Sequence, residues 1–205
     1  MPQSTSIVLP KPKTKGRMSA EEAISRRRSI REYRRKPIAL DRLSQVLWAA
    51  QGVTDLQDGH RASPSPGAKY TLELYVFVRE GGVMGFPAGV YHYEPTAHSI
   101  TRIKPGDHTL ALQSAARDQE QVGQAAAIIV VTSIFDRATP KYGERGIQYS
   151  IQESACAGEN IYIQSTALGL GTVMMGAFDE DRVGQLVGAG KGEKPLLLMP
   201  LGAPS

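Results

Sequence analysis

One stretch restricts the folds open to this chain more than any other: Lys141 to Phe178, KYGERGIQYSIQESACAGENIYIQSTALGLGTVMMGAF. Its apolar and small residues recur at Ile147, Ile151, Ala155, Gly158, Ile161/Tyr162, Ser165 and Leu168. That three-to-four spacing, held for about six turns, predicts one long helix. Ser150, Ser154, Ala155, Cys156, Ala157 and Gly158 make its middle slender. Another backbone can therefore come close, and the helix is expected to lie buried against a second one. Gly169 and Gly171 are expected to end it in left-handed conformations. Thr172 to Met175 then reads as a strand closed by Gly176. A buried helix feeding a strand that stops at a glycine can seat a flat ligand.

The rest of the chain supplies alternating helices and strands. Residues 1–18 read as an extended or mobile arm, and residues 19–205 as the folded domain. Ser19-Ala20-Glu21-Glu22 is a capping box opening the helix AEEAISRRRS, which ends before Pro37. Asp41 is expected to cap a second helix with Leu43, Val46, Leu47 and Ala50 on one face and Gly52 as its stop. Thr54 to Ala68 is a loop rich in Asp, Ser, Pro and Gly. Leu72–Val78 reads as a strand, and Gly89–Tyr93 with Ser99–Ile103 as an antiparallel hairpin. Helices are expected over Asp107–Ala116 and Asp118–Gln124. The continuous apolar run Ala127–Ile134 predicts a central strand covered on both faces. Asp179 caps a short helix to Val187, and Pro195–Leu201 closes the chain as a strand.

At 205 residues, the chain suffices for one α/β domain with a sizeable core. No apolar run approaches the ~18–20 residues of a membrane span. Neither an export signal nor a second cysteine beside Cys156 is present, so a cytoplasmic protein is expected. Eleven of the 24 Lys and Arg residues fall within residues 1–36, against three glutamates. A solvated face, a nucleic-acid patch and a pocket for a small phosphate compete to explain this. Lys11 to Arg17 fits a solvated tail. Because the few aromatics are not interleaved with the basic segment, nucleic acid ranks low.

Arg27, Arg28, Ser29 and Arg31 pack several anion donors into five residues, and Arg27 and Arg31 share a face while the helix lasts. Ser63-Pro64-Ser65-Pro66-Gly67-Ala68 is a stiffened loop able to present hydroxyls and amides to a polar ligand edge, or an ordinary connection. Lys141-Tyr142 offers a proton donor and acceptor of similar reference pKa, or a solvated helix start. Asn160, the only asparagine, lies mid-helix where its propensity is poor, which points to a specific hydrogen bond. Gly188-Ala189-Gly190-Lys191-Gly192 lacks the ending of a phosphate loop and precedes a strand, so it is a flexible connection. The four histidines have no metal-ligand spacing and no metal is expected. Cys156 reads as packing.

In order, RRSIREY, LSQVLWAAQG, SPSPGAKYTLELYV, PAGVYHYEP, KYGERGIQY and LGLGTVMMGAF resemble the flavin-dependent nitroreductase superfamily. They are most similar to the branch of azoline-forming peptide dehydrogenases and their stand-alone relatives. The resemblance spans roughly residues 16–203 and implies an α+β sandwich with a central mixed sheet flanked by helices, an intertwined homodimer and FMN at the subunit interface. It implies phosphate and pyrimidine-edge contacts from Arg27, Arg28, Ser29 and Arg31. Pro64, Ser65 and Gly67 correspond to the loop that the other subunit brings to the flavin, and Met175 and Gly176 to the strand end near N5. Lys141 and Tyr142 correspond to acid–base groups of the peptide dehydrogenases.

The implied activity is ping-pong transfer of hydride or electrons between a donor, with NAD(P)H compatible but not marked by any motif, and a small acceptor such as a nitro compound or quinone. Small-substrate dehydrogenation through Lys141 and Tyr142, or flavin binding without turnover, are the alternatives. The chain departs from the family pattern at Thr71, where proline is common, and at Ala155-Cys156, where Gly-His is common. It ends Gly202-Ala203-Pro204-Ser205 without the basic residue many relatives place on the phosphate. The N-terminal arginines are expected to carry that load, and no peptide-binding domain implies a peptide substrate.

Overall fold

In the computed structural model, which describes residues 6–205, the strands are β1 (Ser6–Val8), β2 (Tyr33–Arg34), β3 (Leu72–Val78), β4 (Gly89–Glu94), β5 (Ser99–Pro105), β6 (Ala127–Ile134), β7 (Gly171–Thr172) and β8 (Glu193–Pro204). The helices are α1 (Ala20–Arg26), α2 (Leu40–Gln51), α3 (Thr109–Ala115), α4 (Glu120–Gln124), α5 (Thr139–Tyr142), α6 (Arg145–Ala167) and α7 (Glu180–Val187). The sheet order is β1-β5-β4-β3-β6-β8-β2, with β7 added on β8. Neighbouring strands pair antiparallel. The expected mixed sheet is therefore antiparallel in all its named strands, and the parallel pairing of Ile38 with Val83 is an isolated bridge outside them.

The apolar run of β6 is an interior strand, as its lack of alternation predicts. Successive side chains of a strand point to opposite faces, and both faces of this sheet are roofed. On one face Leu72, Leu74, Val76, Ile129 and Val131 meet Leu43, Val46, Leu47 and Ala50 of α2, and Ala157, Ile161 and Tyr162 of α6. On the other, Tyr75, Phe77, Ile128 and Val130 meet Leu112, Val122, Val183 and Val187 of α3, α4 and α7. Each such buried aliphatic side chain contributes roughly 1.5–3 kcal/mol.

Several elements differ from expectation for identifiable reasons. The arm is partly structured: β1 pairs with β5, Leu9 is buried, and the Lys13 backbone exchanges two hydrogen bonds with the Gln45 amide at 2.8 and 3.0 Å. The first five residues of that expected arm lie outside the described residues. Helix α1 stops at Arg26, so the helical argument placing Arg27 and Arg31 on one face does not hold. Ser19 caps α1 through a 3.1 Å bond from the Glu22 N–H, while the Glu22 carboxylate pairs with Arg26. Ala39, not Asp41, is the N-cap of α2, and Asp41 sits in its first turn. Gly52 ends α2 in an extended conformation (φ −63°, ψ 150°), and a Cβ there would lie 2.2 Å from the Trp48 ring.

The long helix is broken near its start. Gly143 (φ 59°, ψ −145°) separates Lys141 and Tyr142 on α5 from α6. Gly169 takes the left-handed conformation, whereas Gly171 is in β7. The expected strand Thr172–Met175 reduces to β7 and one bridge from Met175 to Leu198. α6 does pack against α2, and its Ala157, Ile161 and Tyr162 join the core that α2 lines. Ile147 and Ile151, expected inside, are 39% and 49% exposed. Among the described residues no helix is long and apolar enough to cross a membrane.

Candidate functional site

Two groups of side chains lie along α6. The first gathers around Tyr162. Arg27 leaves α1 in an extended conformation (ψ 125°) and begins a short turn that β2 ends. That turn is stapled to the far end of the chain: the Ile30 N–H donates to the Thr172 carbonyl (2.9 Å), and the buried Tyr33 hydroxyl donates to the Ile30 carbonyl (2.7 Å). Burial, then the nearby Tyr162, pushes the Tyr33 phenol pKa well up. Tyr162 completes the junction. Its hydroxyl accepts the Met174 N–H (2.8 Å) and shares a 2.9 Å bond with Ser29 Oγ, and the Arg27 guanidinium lies 4.8 Å from its ring centroid.

Positive charge is left available there. Arg26 pairs with Glu22, but among the described residues Arg27, Arg28 and Arg31 have no carboxylate partner. Arg28 and Arg31 are exposed, Arg28 donating to the Ser25 and Arg27 carbonyls. Of the two strand-end residues, Met175 is buried, its N–H and carbonyl both bonded to Leu198. Gly176 is exposed, with no atom within 4 Å of where a Cβ would sit. Arg27, Ser29 and the Met174 backbone just ahead of Met175 and Gly176 are thus tied together through Tyr162.

The second group joins the Ser63–Thr71 loop to α5 and the first half of α6. Ser63 Oγ donates to the Ala50 carbonyl (2.7 Å), and Asn160 Nδ2 donates to Ser63 Oγ (3.1 Å) and the Ala62 carbonyl (3.3 Å). Asn160 thus makes the specific bond its position implied. Pro66–Ala68 forms a 3-10 turn with Gly67 at φ 57°. A Cβ on Gly67 would lie 2.5 Å from the Tyr142 hydroxyl and 3.0 Å from Lys141 Nζ, so a larger residue here would push the ends of both side chains away, and its positive φ also favours glycine. Lys141 Nζ lies 5.0 Å from the Tyr142 ring centroid, and Tyr142 meets Tyr149 edge-on at 5.3 Å. These rings, Pro64, Ser65, Pro66, Gln152, Glu153 and Cys156 line a cavity of about 350 Å³. Cys156 is half-buried on its wall, not packing in an interior.

Glu153 is 2% exposed on the inner face of α6. Burial pushes its carboxyl pKa up, against the lowering effect of bonds from Ser65 and Thr71. Arg137 reaches the same loop, donating to the Tyr70 carbonyl (2.9 Å) and pairing with Glu73. Burial would raise the Glu73 carboxyl, but hydrogen bonds from His92 and Arg137 outweigh it and hold the pKa low; the Glu73 bond raises that of His92. His60 lies with Asp55 and Asp58 on an exposed turn apart from both groups.

Tyr162 and Glu153 are nine residues apart on α6, about 13 Å along its axis. Within one chain the arginine group and the loop group therefore line different lengths of the same helix. Sequence reasoning saw Tyr162 only as packing and did not single out Glu153, Tyr149 or Arg137. Nothing in the sequence marks Glu153, because the stripe read from spacing passes through Ile147 and Ile151 and leaves position 153 off it.

Residues 24–203 match the sequence model described as the nitroreductase family. The chain is 42% identical over 184 residues to a Methanocaldococcus jannaschii protein named as a candidate nitroreductase, covering 89% of each. It is 24% identical over 136 residues to the Escherichia coli microcin B17-processing protein McbC, covering 65% of this chain and 50% of McbC. The crystal structure of a candidate nitroreductase from Ralstonia eutropha superposes with a TM-score of 0.85 at 28% identity, covering 98% of this chain and 90% of that one.

Proposed function

Because this chain belongs to the nitroreductase family and is an oxidoreductase of that kind, we propose that it uses FMN, held where two copies of the chain meet. The observation that carries this is the junction at Tyr162, which brings Arg27, without a carboxylate partner among the described residues, and the hydroxyl of Ser29 to the backbone of Met174. The residues fit the cofactor. Guanidiniums without carboxylates suit a phosphate, and the strand end at Gly176 leaves room for a ring to approach. Arg27, Arg28, Ser29 and Arg31 would hold the phosphate and pyrimidine edge, and the Met175–Gly176 backbone would border the ring.

Two copies account for what one leaves undone. Ile147 and Ile151 form an apolar stripe on α6 that the described residues leave partly exposed, and a second copy would cover it. It would also bring Pro64, Ser65 and Gly67 of one chain toward the arginines of the other, which α6 keeps apart within a chain. FMN, when bound, supplies hydride and electron transfer. The chain's own residues bind it, orient the substrate and move protons. The cavity beside Tyr142 and Tyr149 has the volume and aromatic walls for a single-ring acceptor such as a nitro compound or quinone. Donor and acceptor would alternate there in a ping-pong cycle, with NAD(P)H as the donor.

A second reading, dehydrogenation of a small azoline-like substrate, is favoured by one observation: Lys141 and Tyr142 lie side by side against Gly67, and Tyr142 lines this cavity. A phenol and an amine so placed can hold and pass a proton. The visible spectrum of the purified protein, followed anaerobically on adding NADPH or NADH, tests the proposal. A flavin band that bleaches and recovers with a quinone supports turnover. A band that never bleaches with either donor leaves flavin binding without nicotinamide-driven reduction, and no band even after added FMN removes the cofactor.

A further inference from the structure

The geometry points to Glu153 as a positioning residue, holding the Ser65–Thr71 loop in the one conformation that seats Gly67 against Tyr142 and Lys141. Its consequence for catalysis rests on the acid–base reading of that pair, but its test does not.

The carboxyl is used from one side only. Oε2 accepts the Ser65 hydroxyl (2.8 Å), the Thr71 hydroxyl (2.9 Å) and the Thr71 N–H (3.3 Å). Oε1 is buried without a partner. Every bond of this group therefore goes to the two ends of the loop and none to the helices around it. Ser65 Oγ, while donating to Glu153, accepts the Tyr70 N–H (2.7 Å) and so closes the loop on itself. An acidic group on the inward face of a helix is costly to bury, and α6 otherwise lines that face with small or apolar residues such as Ser150, Ala157 and Ile161.

The loop needs such a holder. Gly67, Ala68 and Tyr70 have φ of 57°, 53° and 47°, and for the latter two this is a region L-residues avoid. Conformations of this kind persist only where the surroundings over-determine them. Glu153 holds the loop from α6, and Arg137 holds the Tyr70 carbonyl. Gly67 then lies so close to the Tyr142 hydroxyl and Lys141 Nζ that a shift of the loop moves the wall on which both rest.

The test compares the full-length protein as purified with Glu153→Gln, whose amide oxygen can take the same three donors, and Glu153→Ala, which takes none. Hydrogen exchange at the amides of Ala68, Lys69, Tyr70 and Thr71 reads the loop, and tetranitromethane nitration of Tyr142, mapped by mass spectrometry, reads the wall. In Glu153→Ala both rise about tenfold while exchange in β3 and β6 stays as in wild type, and Glu153→Gln remains near wild type. Unchanged exchange and nitration in Glu153→Ala would overturn the assignment, and so would a Glu153→Gln protein that behaves like Glu153→Ala. Should Glu153→Ala not fold, Thr71→Val removes one donor; faster loop exchange then supports the assignment and unchanged exchange refutes it. Neither readout needs bound flavin, so a colourless protein would refute the cofactor while leaving this result interpretable.

Discussion

The Arg27 guanidinium lies 4.8 Å from the centre of the Tyr162 ring, joining the turn after the first helix to the longest helix of the chain. The Tyr162 hydroxyl extends the junction to Ser29 and the Met174 N–H. A cation, a hydroxyl and a strand-end backbone are thereby fixed relative to one another by a single side chain.

Tyr162→Phe keeps the ring beneath Arg27 but strands the Met174 N–H. A fully buried donor left without its partner costs about 1–3 kcal/mol, and the part-buried Met174 N–H falls at the lower end. Urea denaturation is expected to show a loss in that range, with FMN affinity falling roughly tenfold as Ser29 and Met174 drift apart, about 1.4 kcal/mol of binding. An unchanged midpoint would mean that the junction is incidental.

Arg27→Ala combined with Arg31→Ala is expected to leave the fold intact and raise the dissociation constant for FMN at least ~100-fold, since each charged hydrogen bond is worth about 1.5–3 kcal/mol. Fluorescence titration of the flavin-free double variant measures this. Stoichiometric flavin retained through purification would remove the phosphate assignment.

Gly171→Ala places a Cβ 2.7 Å from Ile30 Cγ2 and 2.9 Å from Ile30 Cβ, with the Tyr33 ring at 3.2 Å. Forcing extra volume into a packed site costs about 1–3 kcal/mol. Because Ile30 is bonded to Thr172, the strain falls on the arginine turn. Thermal denaturation and FMN titration should therefore worsen together.

Glu153 gives a pH dependence with a defined sign. Its folded-state pKa is raised above the usual carboxylate value, chiefly by burial. Stability from this group is therefore fully present below the unfolded-state pKa of about 4.3 and is lost as pH rises through the folded-state pKa. Glu153→Gln abolishes that loss, so the difference in unfolding free energy between variant and wild type grows in the variant's favour as pH climbs from 4 toward neutrality. A constant difference across that range would contradict the raised pKa.

Ile151→Asp puts a charge into the exposed apolar stripe that it shares with Ile147. Sedimentation velocity is expected to show a shift from dimer toward monomer, with flavin content falling in step. A variant that remains dimeric would place the interface elsewhere.

The interior strands β3 to β6 and the inward face of α2 were legible because their signals are local. The unbroken apolar run of β6, the aromatic and β-branched residues of β3 and the spacing of Leu43, Val46, Leu47 and Ala50 in α2 each belong to one element's own residues. What was not legible depends on contacts between distant segments. Helix α1 stops at Arg26, where the chain turns to bond β7, and nothing in RRRSI announces that. Ile147 and Ile151 fit the stripe of α6 by spacing yet face outward, because α2 and the sheet take the neighbouring inward positions. Arg27, Ser29, Gly67, Lys141 and Tyr142 could be picked out by residue type. That the first two meet at Tyr162, while the others form a separate group beside Glu153, needed the fold.

The account stands most directly on FMN titration of the flavin-free protein inside an analytical ultracentrifuge, reading flavin absorbance and protein mass in the same boundary. It predicts one FMN per chain sedimenting with a species of twice the chain mass. Flavin that stays at the meniscus, beside a protein that sediments as a single chain, would contradict it.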